Sequence, residues 1–127
     1  MARNLLNNRY NTNQIIEIEG DTMGKLSMEQ IVMELIVNGG DGRSKAMQAI
    51  RLAKKGDLEL AKEKIIESSE AINKAHEFQT NLIQNESAGD HVDITLLMVH
   101  AQDHLMNAMT VRDLAQEMIS MYEEFRK

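Results

Sequence analysis

Apolar residues recur at helical spacing over three stretches of the chain, and short polar segments separate these stretches. The first stretch begins at Ser27, which forms a capping-box pattern with Gln30, and it ends at "KKGD". The second carries a heptad-like stripe with small residues, which suits tight antiparallel packing. The pattern predicts an all-α fold, an antiparallel up-down-up three-helix bundle with helices at about 28–55, 57–86 and 92–125.

Residues 1–26 do not continue this pattern. They are rich in Asn, Gly and Thr, and a short apolar patch (Ile15, Ile16 and Ile18) interrupts them. Polar, glycine-bearing segments of this kind seldom bury enough apolar surface to fold. We therefore interpret residues 1–26 as a flexible N-terminal extension and residues 27–127 as a single three-helix domain.

The first predicted helix contains the segment "NGGDGRS", from Asn38 to Ser44, with three glycines. Each glycine inside a helix costs about 1 kcal/mol relative to alanine. These glycines either kink the helix or let another backbone approach closely. The sequence leaves close helix packing and a functional role equally open.

The third predicted helix carries two stripes. One suits contact with the other two helices: Ile94, Leu97, Ala101, His104, Ala108, Val111, Ala115 and Tyr122. The second lies on roughly the opposite side: Val92, Leu96, Val99, His100, Asp103, Asn107, Thr110, Leu114 and Met121. A three-helix monomer covers only the first stripe, and the second is too apolar to stay in contact with water. We therefore expect this helix to pack against copies of itself in a homo-oligomer.

The composition supports this fold and excludes several classes of protein. The chain has no Pro, Trp or Cys. Without proline, no residue breaks the predicted helices, and without cysteine the chain forms no disulfide, which is consistent with a reducing cytosol. A net charge of -6 without a basic stripe argues against a nucleic-acid partner. No apolar run reaches the roughly 18 residues of a membrane span, and the first residues lack the apolar region of a signal peptide. We expect a soluble, cytoplasmic protein without direct membrane insertion.

Candidate chemistry is concentrated in "LLMVHAQDHLMNAM", residues 96–109. Three interpretations are open: a metal site from His100 and His104, a single reactive imidazole with helpers, or ordinary buried polar residues. "HAQDH" lacks the glutamate of the H-E-x-x-H zinc motif, which argues against a zinc hydrolase. The stripes place His104 in the monomer core as a hydrogen-bonded histidine, and they place His100 and Asp103 on the other face.

The run "LLMVHAQDHLM" closely resembles the active-site helix of the IIA component of the bacterial sugar phosphotransferase system, lactose/cellobiose class. The resemblance extends, in order, to "MELIVNGGDGRSKAMQAIRLAKKGDLELA" and "INKAHEFQTNLIQNE", and it covers about residues 28–126. The alanine between His100 and Gln102 is more similar to the cellobiose/chitobiose branch than to the lactose branch.

This resemblance implies a phosphoryl carrier that forms a homotrimer, in agreement with the two stripes of the third helix. Such a subunit receives a phosphoryl group from the histidine-containing phosphocarrier protein and passes it to a cysteine of the IIB component. The sugar, here a β-linked disaccharide, is then phosphorylated as it enters through the membrane component IIC. By motif, His100 is the acceptor, as a tele-phosphohistidine, and Asp103 is the aspartate that binds one Mg²⁺ shared by three subunits.

The implied chemistry needs a neutral imidazole, which a histidine provides at cytoplasmic pH without a general base. A hydrogen-bond acceptor for the other ring proton would fix the tautomer, and Gln102, Asn107 or a residue of a neighbouring subunit is a candidate. Further candidates for support around the site are His104, His76 and Gln79.

The alternative to a phosphoryl carrier is a non-catalytic helical adaptor or a metal-binding helical bundle. A di-iron bundle would need Glu-x-x-His pairs on two helices, which the sequence lacks.

Overall fold

The computed structural model describes residues 15–17 and 25–126 of the chain. Three long helices dominate this part: α1 (Met28–Lys55), α2 (Leu58–Ser87) and α3 (Leu96–Phe125). The helices run up, down and up, and both α2 and α3 pack mainly against α1. The predicted all-α three-helix bundle is confirmed. No helix in this part of the chain is long and apolar enough to cross a membrane.

The start of α3 differs from the prediction, because the helix begins at Leu96 and not near Val92. Thr95 is the N-cap residue with an extended backbone (φ -107°, ψ 161°), and its Oγ1 accepts a hydrogen bond from the Met98 N–H at 3.1 Å. This bond satisfies an N–H group that has no partner inside the helix, which makes Thr95 a natural boundary. Val92 and Ile94 extended the apolar pattern, but they precede the helix.

The boundaries of α1 agree with the sequence pattern. Ser27 Oγ accepts a hydrogen bond from the Gln30 N–H at 3.2 Å, and Gln30 Oε1 accepts one from the Ser27 N–H at 2.9 Å. Gly56 ends the helix in the left-handed region (φ 93°), where a residue without a Cβ is favoured. Asp57 occupies the N-cap position of α2, although its side chain makes no capping hydrogen bond.

Two short strands precede the bundle, β1 (Ile15–Glu17) and β2 (Lys25–Ser27), and the sequence pattern did not predict them. They pair antiparallel, with Ile16 opposite Leu26, and β2 leads directly into α1. Three residues are too few to display the alternation by which strands are recognised. Leu26 packs against the bundle core. The flexible extension predicted for residues 1–26 lies largely outside the described residues.

Two clusters of buried residues fill the bundle. The larger core lies beneath the first half of α3 and consists of Ile31, Val32, Leu35, Ile72, Ala75, Phe78, Leu82, Met98, Ala101, Leu105 and Ala108. The alanine-rich core lies towards the other end and consists of Ala46, Ala49, Ala53, Ala61, Ile65, Ala115 and Ile119. Full burial of a large apolar side chain contributes about 1.5–3 kcal/mol, so the larger core holds the first half of α3 most firmly.

The glycines of α1 permit close packing of the helices, and α1 continues as a helix through all of them. A Cβ on Gly39 would lie 3.4 Å from the Cα of Leu105 in α3. Gly42 faces α2, where Ser68 Oγ donates a hydrogen bond to the Gly42 carbonyl oxygen at 2.6 Å. Of the two explanations that the sequence leaves open for these glycines, close packing accounts for Gly39 and Gly42.

We expect the substitution Gly42→Ala to lower the free energy of unfolding. The new Cβ would overlap Cγ1 of Ile72 and would lie 3.1 Å from the Ser68 carbonyl oxygen. Overpacking of this kind typically costs about 1–3 kcal/mol, which exceeds the gain of about 1 kcal/mol from helix propensity. Urea denaturation monitored by circular dichroism measures the change. Ser44→Ala, at an exposed position of the same helix, is the control, and equal stability of both variants would contradict this account of the packing.

The buried side of α3 also differs from the predicted stripe. Ile94 and Leu97 were expected against the other helices, but their side chains are 81% and 51% exposed. Met98, Leu105 and Ile119 are buried instead, together with Ala101, Ala108 and Ala115 of the predicted stripe. Ile94 is exposed because it precedes the helix. Leu97 is exposed because α3 packs against α1 and α2 with a face that the apolar pattern alone does not identify.

Candidate functional site

His100 lies near the amino end of α3, and its side chain is exposed. Its imidazole stacks on that of His104, one turn further along, with ring centroids 6.0 Å apart and an angle of 23° between the planes. Neither imidazole forms a hydrogen bond with a described residue. The site therefore has one accessible imidazole beside a second one that is half-buried.

His104 differs from the hydrogen-bonded core histidine that the stripe predicts. Its ring lies against α1 at two glycines: a Cβ on Gly40 would lie 3.0 Å from Nε2, and one on Gly39 would lie 3.5 Å from Cδ2. The ring fits here because both positions lack a side chain. Gly40 therefore lies beside the site, although the sequence pattern did not predict this, and the run of glycines in α1 is the only feature of the sequence that pointed to it.

Asp103 and Asn107 are exposed on the side of α3 that faces away from the bundle. Asp103 makes no hydrogen bond or ion pair with the described residues. Large apolar side chains flank both polar residues along this side, which we call the outward face of α3: Leu96, Val99, Leu114 and Met121, which are 87%, 51%, 53% and 56% exposed. The predicted second stripe of the helix is thus uncovered in the single chain, except for Val92, which precedes the helix and packs against the larger core.

Gln79 and Gln102 form a pair on the flank of α3 that meets α2. Gln79 Nε2 donates a hydrogen bond to Gln102 Oε1 at 2.7 Å, and Gln102 Nε2 lies 3.5 Å from the Met98 sulfur. Because residues two apart on a helix point about 200° apart, this pair does not face His100 of the same chain. His76 is exposed on α2. Within one chain, Gln79 and Gln102 therefore do not contact His100, and their support of the site stays a prediction.

The described residues contain no group of three or more His, Cys, Asp or Glu side chains placed to hold a metal ion. His100, Asp103 and His104 lie within one turn of α3, but Asp103 points to the outward face while His104 turns towards α1. A metal bundle formed by these three residues of one chain, one of the alternatives from the sequence, has no support in this geometry. An accessible imidazole suits nucleophilic chemistry instead.

These features define a small helical protein with an accessible imidazole on its third helix, and comparison with known proteins specifies its family. The family model "PTS system, Lactose/Cellobiose specific IIA subunit" matches residues 30–123. The chain is 58% identical over 97 residues to the lichenan-specific phosphotransferase enzyme IIA component of Bacillus subtilis (strain 168), covering 76% of this chain and 88% of that protein. The chain therefore belongs to the lactose/cellobiose-specific IIA family of the phosphotransferase system, which confirms the resemblance.

Solved structures agree with this assignment. The crystal structure of the PTS cellobiose-specific enzyme IIA from Bacillus anthracis has a TM-score of 0.75 and 48% identity, with 80% of this chain and 94% of that chain covered. The IIA(chitobiose)–HPr complex of the N,N'-diacetylchitobiose branch of the Escherichia coli phosphotransferase system gives a TM-score of 0.69 and 39% identity. That match covers 80% of this chain and 99% of the IIA chain. A non-catalytic adaptor is not favoured by these similarities.

Proposed function

We propose that this chain carries a phosphoryl group on His100 from the histidine-containing phosphocarrier protein to a cysteine of a IIB component. The observation that carries the proposal is the exposed imidazole of His100, which lies inside the segment matched by the IIA family. The HPr complex of the related chitobiose IIA protein supports the choice of the first partner.

The transfer onto His100 requires one free ring nitrogen, which we assign as Nε2. Its lone pair attacks phosphorus, a new N–P bond forms, and the N–P bond in the phosphocarrier breaks, with that electron pair returning to the carrier's histidine. In the second step the IIB thiolate attacks phosphorus, an S–P bond forms and the N–P bond to His100 breaks. The electron pair of that bond returns to Nε2, and His100 leaves as a neutral imidazole because its Nδ1 has kept its proton. Because the transition state of phosphoryl transfer is loose, the protein contributes mainly by positioning the reacting atoms in line.

The assembly that we propose is a homotrimer built on the outward face of α3. Exposed Leu96, Val99, Leu114 and Met121 support it, because large apolar side chains left exposed along one side of a helix are typical of an interaction surface. Around a threefold axis, the Gln102 flank of one α3 faces the His100 flank of the next. The Oε1 atom of a neighbouring Gln102 would therefore accept a hydrogen bond from the Nδ1–H of His100, a role that it does not have within its own chain.

Asp103 is the residue of this chain that would hold a metal in that trimer. Its carboxylate is a hard oxygen donor, lies on the outward face and has no partner among the described residues, which suits Mg²⁺. One chain supplies a single carboxylate at this position, so the site fits a shared ion only where several copies meet. Such an ion would neutralise the carboxylates between subunits, and the phosphoryl transfer itself would remain at His100.

The sugar that we propose is a β-linked disaccharide of the cellobiose or chitobiose type. The similarity to lichenan-specific and cellobiose-specific IIA proteins supports this choice, and so does Ala101 between His100 and Gln102. The sugar would not touch this chain, because IIB and the membrane component IIC would handle it. A cytoplasmic location follows from the proposed exchange with the phosphocarrier.

We expect one phosphoryl group per chain after incubation with phosphoenolpyruvate, enzyme I and the phosphocarrier protein. Intact mass spectrometry measures the gain, and loss of the label in mild acid identifies a phosphohistidine. A mixture without enzyme I is the control. A protein that stays unlabelled while the phosphocarrier in the same mixture is phosphorylated would refute the proposed function.

A further inference from the structure

We propose that Gln79 is a positioning residue, which decides whether the amide of Gln102 presents its oxygen or its nitrogen to His100 of a neighbouring subunit. The inference rests on the proposed function and on the proposed trimer, in which Gln102 accepts a hydrogen bond from that histidine. It assigns a role to a buried glutamine of α2 that the transfer steps do not use. A directed series of hydrogen bonds between α2 and α3 supports it.

The series of hydrogen bonds starts at Gln79, whose side chain is only 8% exposed. Its Nε2 donates to Gln102 Oε1 at 2.7 Å and to the Met106 sulfur at 3.5 Å, and an amide nitrogen has no further hydrogen to donate. Gln102 Nε2 donates in turn to the sulfur of Met98, which is buried, at 3.5 Å. Both amide nitrogens therefore have a sulfur atom of α3 as an acceptor.

These partners fix the orientation of the Gln102 amide. A thioether sulfur accepts hydrogen bonds weakly and has no hydrogen to donate, so only the NH₂ end of an amide suits the Met98 sulfur. At the other end, the NH₂ group of Gln79 needs an acceptor and finds the Gln102 oxygen. An amide turned over at Gln102 would place its oxygen against a sulfur and its NH₂ group against that of Gln79. Gln79 thus holds the oxygen of Gln102 in place.

This orientation determines what Gln102 offers to a neighbouring subunit. A carbonyl oxygen has two lone pairs, of which Gln79 uses one, and the Gln102 side chain is only half-buried. In the proposed trimer, the second lone pair accepts from the Nδ1–H of the neighbouring His100. A turned amide would donate an N–H to Nδ1 and so move the ring proton to Nε2. Because Nε2 needs its lone pair to attack phosphorus, Gln79 favours the reactive tautomer.

The first measurement is the tautomer of His100 in the full-length chain, which requires no phosphate. Proton–nitrogen correlation spectra of protein with isotope-labelled histidine, recorded where the imidazole is neutral, show which ring nitrogen carries the proton. The His100→Gln variant identifies the signals. We expect the proton on Nδ1 in the wild type. Gln79→Leu should shift the ratio of the two tautomers towards Nε2–H about 3- to 10-fold, which corresponds to the loss of one net hydrogen bond.

The second measurement is single-turnover transfer from the phosphorylated phosphocarrier, followed by rapid quench. In Gln79→Leu, the rate constant should fall in proportion to the loss of the Nδ1–H tautomer. Gln79→Met retains the length of the side chain but has no hydrogen to donate, so it should change both readouts in the same direction. Gln84→Leu, the same substitution at an exposed position of α2, is the matched control and should change neither.

The double variant Gln79→Leu/Gln102→Leu should be as slow as Gln102→Leu alone, because Gln79 acts only through Gln102. An additive loss in the double variant would overturn the inference. So would a wild-type tautomer ratio in both Gln79→Leu and Gln79→Met, or a wild-type protein that sediments as a monomer. A wild-type chain that carries the proton on Nδ1 but accepts no phosphate would instead refute the proposed function.

Discussion

Replacement of His100 by glutamine should abolish phosphoryl acceptance and leave the bundle folded. The amide of glutamine has no basic nitrogen lone pair, so no N–P bond forms at this position. His100 is exposed and belongs to neither core cluster, and the described residues form no hydrogen bond with it. Glutamine also favours helix at least as well as histidine does. We expect the free energy of unfolding to change by less than about 0.5 kcal/mol.

Intact mass after incubation with the phosphocarrier mixture measures the labelling, and circular dichroism during thermal unfolding measures the stability. His91→Gln is the matched control, because His91 is an exposed histidine in the turn before α3. That variant should be labelled like the wild type. A His100→Gln protein labelled to the same extent would show that another side chain accepts the phosphoryl group.

Replacement of Asp103 by leucine should keep the trimer and remove its sensitivity to chelators. In the proposed assembly, three Asp103 carboxylates face one another near the axis. At a separation of about 5 Å and an effective dielectric constant of about 20, each pair repels by roughly 3 kcal/mol, so three pairs cost about 10 kcal/mol. A divalent cation relieves this repulsion, which predicts that chelation loosens the wild-type trimer at neutral pH. Leucine replaces the repulsion with apolar contact against the same neighbours on the outward face.

Sedimentation equilibrium of both proteins, each with magnesium and with EDTA, distinguishes these outcomes. Asp93→Leu is the control, because Asp93 is exposed but precedes α3, and its trimer should remain sensitive to EDTA. A wild-type protein that is monomeric at micromolar concentration with magnesium present would refute both the trimer and the shared metal. A monomeric Asp103→Leu variant would refute the repulsion argument alone.

The sequence by itself determined the three helices of this protein, apart from the start of α3, and it indicated the residue to which we assign the chemistry. Apolar spacing and the capping box of Ser27 and Gln30 placed α1 almost to the residue, because helix periodicity and helix ends depend on neighbours in the chain. The run around His100 was specific enough to indicate the family. The uncovered apolar face of α3 was also readable from spacing alone, since its members remain exposed in the single chain.

Only the tertiary structure decided how these elements meet. Leu97 belongs to an apolar stripe by spacing, yet the rotation of α3 between two helices leaves it exposed and buries Met98 and Leu105. The same rotation turns Gln102 towards Gln79, and it packs the His104 ring against Gly40. Residues 40 and 104 are far apart in sequence, so no local pattern relates them. Their contact depends on the packing of α1 against α3, because the flank that a helix presents is set by the shape of its neighbours.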